Sequence, residues 1–196
     1  SLGLEQAGFE SIYVNELNND ALESYLINRD DKNPYLRERF NSNDVKDMIL
    51  NKKYLKQLSV DFKKTYNIDF NTGDLTLLVG GPPCQGYSGI GHRRSYSVNK
   101  EQIPSNFLYQ DMAYIINKMN PKIFLFENVR GLLSSRWKTS GEKGEIWEDV
   151  VKTFEALKNY NTSWSLVKAK DYGVPQNRPR VLFVGLRKDI KYNDPI

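Results

Sequence analysis

Short apolar runs bounded by glycine, proline or polar residues recur in the second half of the chain, at residues 75–79, 123–126 and 181–186. Runs of this length are typical of strands that are buried on both faces of a sheet. Residues 109–119, between the first two runs, suit the helix that joins two parallel strands. The pattern therefore predicts an α/β domain with a doubly wound, mostly parallel sheet.

The remaining pattern completes this outline. Residues 164–169 and 181–186 predict two strands joined as a terminal antiparallel hairpin. Apolar residues at helical spacing predict an amphipathic helix over 51–66, and a further helix is expected over 147–157. Near the start of the chain we predict a short helix closed by Gly8 and then a strand over 11–15.

The chain's only cysteine, Cys84, follows the first apolar run across a Gly-Gly-Pro-Pro turn at 80–83. Free cysteine is usually a small buried hydrophobe. Here, however, the prolines make the turn stiff, and the polar residues 85–88 follow instead of apolar neighbours. The pattern favours a nucleophile at the carboxyl end of a strand.

Glu127 follows the second apolar run in the same way. An isolated glutamate at this position could simply cap a turn or pair with Arg130. In open α/β sheets, however, ligands bind outside the carboxyl ends of parallel strands. Cys84 and Glu127 would therefore face one crevice if their strands are neighbours.

The connection within the predicted hairpin carries Gln176, Arg178 and Arg180 at alternate positions, stiffened by Pro175 and Pro179. Alternate side chains of an extended chain share one face. We therefore expect three polar side chains on one face, with guanidinium groups that could bind phosphates or a base edge. A solvated basic turn is the alternative.

Three motifs, GGPPCQGYS, FENVRGL and YGVPQNRPR, resemble in content and order those of the DNA (cytosine-5) methyltransferases, over nearly the whole chain. The resemblance implies a Rossmann-like domain that transfers a methyl group from S-adenosylmethionine to C5 of cytosine in double-stranded DNA, without a metal. It implies that Cys84 adds to C6 of the base and that Glu127 donates at N3. Arg180 would hold the O2 side of the base, and Arg178 and Gln176 would shape its pocket.

Chemistry at C5 and C6 requires a base that has been taken out of the stack. The glycine- and serine-rich segment 86–99 suits a loop that closes on the nucleic acid, although a disordered surface loop is the alternative. Expected nucleic-acid contacts in and beside this segment are Gln85, Ser88, Arg93 and Arg94.

The expected cofactor site begins at Glu16, directly after the first predicted strand, where an acid can bind ribose hydroxyls. The resemblance places Leu17 against the adenine of S-adenosylmethionine. Further expected cofactor contacts are Asp44, Val45, Gly81, Pro83 and Leu108.

In the family, a glycine-rich cofactor loop lies before the point where Ser1 stands, and a target-recognition region follows near Ile196. We therefore expect residues 1–196 to be a catalytic methyltransferase domain that is incomplete at both ends and lacks the target-recognition domain. We favour a fragment of a longer enzyme; the alternative is that a second chain supplies the remainder.

Lysine and arginine outnumber aspartate and glutamate by 28 to 24, so the formal net charge of +4 permits a polyanionic partner. Single cysteine and histidine residues exclude an internal disulfide and a metal site built on several of either. The sequence shows no signal peptide or membrane span. We expect a cytoplasmic, nucleoid-associated enzyme of a restriction-modification system that is monomeric at full length.

Two alternatives stay open. A tRNA cytosine-5 methyltransferase would share the mechanism, and a non-catalytic module that binds nucleic acid or cofactor would share the fold. The presence of Cys84, Glu127 and Arg180 together favours an enzyme.

Overall fold

The computed structural model describes residues 2–51, 53–83 and 103–191 of the chain. They fall into two compact units, which divide between Tyr54 and Leu55. No helix among the described residues is long and apolar enough to cross a membrane.

The first unit consists of short helices around a two-stranded parallel sheet. Its elements are α1 Leu2–Gln6, β1 Val14–Asn15, α2 Asn19–Ile27, α3 Tyr35–Glu38, β2 Asn41–Ser42 and α4 Val45–Leu50. The predicted first helix is confirmed, with Gly8 in the left-handed region just after it. The predicted strand over 11–15 is confirmed only for its last two residues, where Val14 lies opposite Asn41 and Asn15 opposite Ser42.

The second unit contains three helices of 11 to 13 residues and a four-stranded sheet. Its elements are α5 Tyr54–Tyr66, β3 Leu77–Gly80, α6 Leu108–Met119, β4 Ile123–Val129, α7 Glu145–Glu155, β5 Tyr160–Lys168 and β6 Pro179–Arg187, with single 3₁₀ turns at Pro104–Phe107, Arg130–Ser134 and Ala169–Tyr172. The helices and the hairpin predicted from the sequence are all present, with ends shifted by a few residues.

The strand order is β3-β4-β6-β5. β3 and β4 run parallel, whereas β6 runs antiparallel to both of its neighbours. The α/β class and the terminal hairpin are confirmed. Because the hairpin inserts β6 between β4 and β5, parallel pairing among the described strands is limited to β1 with β2 and β3 with β4.

One face of this sheet holds the core. Phe124 and Phe126 of β4 and Phe183 of β6 are fully buried there against α6 and α7, and the ring of Phe124 stacks on Phe154 at 5.3 Å. Gly185 leaves room for the Phe124 ring, because a Cβ at Gly185 would lie 2.0 Å from it. Clusters of this kind supply the main hydrophobic stabilisation of a small domain.

The opposite face of the sheet is less covered. Val79 of β3 is 46% exposed. The prediction that this strand is buried on both faces is therefore wrong, because β3 lies at the edge of the described sheet and one of its faces remains open. The same alternation occurs in β4, where the residues on this second face are only half-buried.

Candidate active site

The parallel register of β3 and β4 brings the loop that leads to Cys84 beside Glu127. Gly80 lies opposite Phe126, so the next residues, Gly81 and Glu127, also meet. A Cβ at Gly81 would lie 3.4 Å from Glu127 Oε2, an ordinary van der Waals distance, so the loop backbone runs directly beside the carboxylate. The shared crevice expected from the sequence was conditional on the two strands being neighbours, and this condition is met.

Glu127 lies inside β4 rather than after it. The strand continues to Val129 because every residue from Ile123 to Val129 pairs with β6. The sequence pattern, which ends at Phe126, missed this extension because the last three residues include two polar ones. The longer ladder fixes the direction of the Glu127 side chain, since side chains alternate between the faces of a strand.

Glu127 forms an ion pair with Arg180 across the two strands. Arg180 Nε lies 2.7 Å from Glu127 Oε1. In the register, Val129 lies opposite Arg180 and Glu127 opposite Leu182, so the pair is a diagonal contact on one face. The Glu127 side chain is 39% exposed and the Arg180 side chain 20% exposed. The carboxylate therefore remains accessible, and a group that enters must compete with Arg180 for it.

Asn128 contacts the same loop from the other face of β4. This side chain is buried, and its Nδ2 donates to the carbonyl of Pro82 at 3.4 Å while its Oδ1 accepts from the backbone N–H of Val129 at 2.8 Å. Successive residues of β4 thus contact the loop from opposite sides. The sequence analysis did not include Asn128. One signal was available in the sequence. Asn128 continues the alternation of Phe124 and Phe126, which places its polar side chain on the same buried face.

The hairpin places only one of its three predicted polar residues beside Glu127. Arg180 belongs to β6, whereas Gln176 and Arg178 lie in the preceding turn and are exposed. Two tight turns bend this segment, with Gln176 N–H donating to Val174 O at 2.7 Å and Arg178 N–H donating to Gln176 O at 3.1 Å. The expectation that the three side chains share one face of an extended chain is therefore wrong for Gln176 and Arg178.

The first unit brings together the residues expected at the adenosine end of the cofactor. Glu16 follows β1 and Asp44 lies two residues after β2, so both lie at the carboxyl ends of paired parallel strands. The backbone N–H of Glu16 continues the ladder by donating to Ser42 O at 3.1 Å. Parallel strand ends of this kind are the usual place for a nucleotide in α/β folds.

The side chains at these strand ends fit an adenosine group. Glu16 Oε1 accepts from the backbone N–H of Asn18 at 2.9 Å, which orients a carboxylate suited to ribose hydroxyls. Leu17 is 73% exposed and offers an apolar surface for a purine ring. Asp44 caps α4 by accepting from Lys46 N–H at 2.8 Å, and Val45 begins that helix. These residues therefore fit the adenosine half of S-adenosylmethionine.

The remaining expected contacts belong to the second unit or lie outside the described residues. Gly81 lies beside Glu127, Pro83 is exposed in the same loop, and Leu108 begins α6. Some predicted site residues lie outside the described part of the chain. These are Cys84, Gln85, Ser88, Arg93 and Arg94, together with the predicted closing loop at 86–99.

The sheet of the second unit is mixed, and in α/β sheets ligands commonly bind at the carboxyl ends of the parallel strands. Among solved structures, a proposed DNA modification methyltransferase encoded within a prophage (E. coli) has a similar fold, with a TM-score of 0.59 and 24% identity over 97% of this chain and 45% of that one. At this level of identity the similarity establishes the fold.

Sequence comparison gives the family. The model of the C-5 cytosine-specific DNA methylases matches residues 1–195, and the chain belongs to this family. It is 34% identical over 193 residues to the Type II methyltransferase M.FnuDI of Fusobacterium nucleatum, covering 98% of this chain and 45% of the relative. It is 32% identical over 196 residues to the Type II methyltransferase M.NgoPII of Neisseria gonorrhoeae, covering 99% and 47%. The chain thus spans less than half of the length of these relatives.

Proposed function

We propose that this chain belongs to the catalytic methyltransferase domain of an enzyme that methylates C5 of cytosine in double-stranded DNA. The observation that carries the proposal is that three features meet at one end of the sheet, where β3 and β4 end and β6 begins. These are the Glu127 carboxylate, its partner Arg180, and the Gly81–Pro83 loop that leads to Cys84. Membership of the family and the Type II relatives support the same activity and a restriction-modification setting.

In the proposed reaction, the Cys84 thiolate adds to C6 of a cytosine that has left the stack. The C5=C6 electron pair then becomes available at C5. S-adenosylmethionine, when bound, supplies the electrophilic methyl group that C5 attacks, and S-adenosylhomocysteine is the leaving group. Loss of the C5 proton to a base and departure of the thiolate from C6 restore the aromatic ring and free the cysteine.

Glu127 and Arg180 would act on the opposite side of the base from the new bonds. Addition at C6 pushes electron density toward N3 and O2. A hydrogen bond from the Glu127 carboxyl group to N3 and one from Arg180 to O2 would stabilise that charge as it develops. The two side chains are already aligned on one face of the sheet, so the base need only replace part of their mutual contact.

The proposed cofactor contacts follow from the first unit. Glu16 would accept hydrogen bonds from the ribose hydroxyls and Leu17 would pack on the adenine, with Asp44 and Val45 beside it. In the second unit, Gly81, Pro83 and Leu108 would line the methionine end. We propose double-stranded chromosomal DNA as the partner and a monomer as the full-length form.

The test is methyl transfer by the natural full-length protein, with labelled S-adenosylmethionine and duplex DNA. Tritium transferred to DNA cytosine should be lost in Cys84→Ser, while cofactor binding and melting temperature stay near those of the wild type. Duplexes that contain 5-fluorocytosine should trap the wild-type protein covalently but not the variant, because fluorine cannot leave C5 as a proton does.

Parallel reactions with tRNA separate the alternatives. Transfer to tRNA alone would move the substrate to RNA and contradict the DNA assignment. Cofactor binding without transfer to DNA or tRNA would instead support a binding module and contradict the enzyme assignment.

A further inference from the structure

The turn between β5 and β6, residues 169–178, has an ordered shape although nearly all of it is exposed. Every residue from 170 to 178 is exposed. Backbone hydrogen bonds nevertheless cross the turn, from Ala169 N–H to Arg178 O and from Val174 N–H to Ala169 O, both at 3.3 Å. Gly173, at φ 79°, closes the 3₁₀ segment. We call residues 168–178, which include the last residue of β5, the hairpin turn.

The hairpin turn carries cations that lack local partners. Within the described residues, the side chains of Lys168, Lys170 and Arg178 form no ion pair or hydrogen bond, and Asp171 is the only acid of the segment. Elsewhere several basic residues are held by carboxylates, as Arg37 is by Glu23 and Asp30. Uncompensated positive charge on an ordered segment is suited to a polyanion.

An aromatic side chain lies among these cations. Tyr172 is 72% exposed, more than Tyr35 at 49% or Trp164 at 46%. Because most of this residue is exposed, its ring offers a flat apolar face to solvent. Positive side chains interleaved with exposed aromatic rings are typical of surfaces that bind nucleotide strands, because the cations meet phosphates while the ring packs on a base or sugar.

The hairpin turn also lies at the same end of the sheet as the proposed active site. It joins the carboxyl end of β5 to the amino end of β6, and β6 begins one residue before Arg180. The carboxyl ends of β3 and β4, with Gly81 and Glu127, lie at this same edge because β6 runs antiparallel to β4. A nucleic acid whose base reaches Glu127 would therefore have its backbone close to the hairpin turn.

We infer that the hairpin turn is a nucleic-acid contact surface. Lys168 and Lys170 bind backbone phosphates, and Tyr172 packs on an adjacent nucleotide. This inference rests on the proposed function, since it deepens the account of how the substrate is held. It assigns roles to three residues outside the predicted site.

The test measures binding of the natural full-length protein to a mixed-sequence DNA duplex and to one of its strands alone, by fluorescence anisotropy over a range of salt. The affinity for DNA falls as salt rises, and each lost phosphate contact makes the slope of log affinity against log salt shallower by about 0.9. Lys168→Gln with Lys170→Gln should therefore lower that slope by about 1.8 for the duplex. Tyr172→Ala should weaken binding of the single strand roughly tenfold, while Tyr172→Phe should retain it.

A matched control removes the same charge from another surface. Lys56 and Lys64 are exposed on α5, so Lys56→Gln with Lys64→Gln changes net charge equally. The control should keep the wild-type slope. An equal fall in slope in the control would overturn the inference by showing an effect of net charge alone.

Two further outcomes would also overturn the inference about the hairpin turn. Unchanged slope and affinity in the hairpin variants, with methyl transfer to DNA intact in the wild type, would overturn this inference and leave the proposed function standing. A lower melting temperature in those variants with unchanged DNA affinity would show that the turn packs against the rest of the protein, and would overturn it as well. Absence of methyl transfer in the wild type would instead contradict the proposed function.

Discussion

Strand β6 carries an arginine at each end, and the two ends are built differently. Arg187 is buried, with Nε and Nη2 bound to the carboxylate of Asp189 at 2.7 and 3.0 Å. Its Nη1 donates to the carbonyls of Gly73 at 3.1 Å and Asn120 at 2.6 Å. Arg180, at the other end, forms an ion pair with Glu127 and donates from Nη1 to the carbonyl of Pro179.

The Arg187 end of β6 is a closed end, where the side chain is bound within the fold. The Arg180 end is an open end, where the side chain remains accessible. At Arg187 all three guanidinium nitrogens are bound, Nε and Nη2 by the nearby Asp189 and Nη1 by two distant carbonyls, so the side chain connects β6 to the turn at Gly73 and to the end of α6. At Arg180 the only distant partner among the described residues is Glu127, which is itself accessible. Donors that are not all used by the fold remain available to a substrate, and this is the end where we place the chemistry.

The largest expected effect is on activity at the open end. Glu127→Gln should lower the rate of methyl transfer by about 100-fold or more, because the amide can donate a hydrogen bond to N3 but cannot transfer a proton to it as the charge develops. Its free energy of unfolding should change by less than about 1 kcal/mol, since the ion pair is partly exposed. Turnover with labelled cofactor and urea denaturation measure the two quantities.

The matched control for this variant is Glu148→Gln, which removes a glutamate that pairs with Lys152 at 3.7 Å on an exposed helix face. This control should keep both turnover and stability. If the Glu127→Gln variant turned over as fast as the wild type, the role proposed for the carboxyl group would be contradicted.

The next effect is on stability at the closed end. Arg187→Ala should lower the free energy of unfolding by about 3 kcal/mol, because it leaves two carbonyl groups without their donor in a buried place. Arg180→Ala, the same change at the open end, should lower it by less than about 1 kcal/mol. Chemical denaturation of the two variants gives the comparison directly, and equal losses would show that the two ends do not differ as described.

Asn128→Ala sharpens the comparison within the open end. Loss of a buried hydrogen-bonding side chain should lower the free energy of unfolding by about 1–2 kcal/mol. Because Asn128 holds the carbonyl of Pro82, two residues before Cys84, the rate of covalent trapping on 5-fluorocytosine should also fall.

Asn33→Ala is the matched control, since Asn33 is also 5% exposed and its Nδ2 donates to the carbonyl of Ser11 at 3.1 Å. The control should lose stability by a similar amount and keep the wild-type trapping rate per folded molecule. Parallel losses of trapping in both variants would reduce the role of Asn128 to general packing.

The same comparison shows what the sequence could predict. Local patterns located α1, the three helices of the second unit, the hairpin and strand β3, because apolar periodicity and turn residues are read along the chain. They did not locate α2, α3, α4 or the last three residues of β4. Partners across the sheet depend on register, which local patterns do not contain. Arg130 is three residues from Glu127 in the sequence, yet the partner is Arg180, because β6 inserts beside β4. The contacts of Arg187 and Asn128 were missed for the same reason.

The smallest effect concerns pH at the closed end, where Tyr160 lies opposite Arg187 in the ladder. Burial raises the pKa of Tyr160 to about 12, with the nearby Arg187 acting in the lowering direction. Its hydroxyl donates to the carbonyl of Pro121 at 2.7 Å. Because the folded-state pKa lies above the ordinary value of about 10, the neutral hydroxyl contributes stability below pH 10, and this contribution is lost as pH rises toward 12.

Tyr160→Phe should therefore be less stable than the wild type by about 1 kcal/mol at pH 8, through the lost hydrogen bond. The wild type alone carries the titrating hydroxyl, and one pKa unit corresponds to about 1.4 kcal/mol, so this deficit should disappear near pH 11. Guanidinium denaturation of both proteins at pH 8 and pH 11 measures the change. A deficit that stays the same at both values would mean that Tyr160 ionises equally in the folded and unfolded chains, and that its burial at the Arg187 end does not protect its proton.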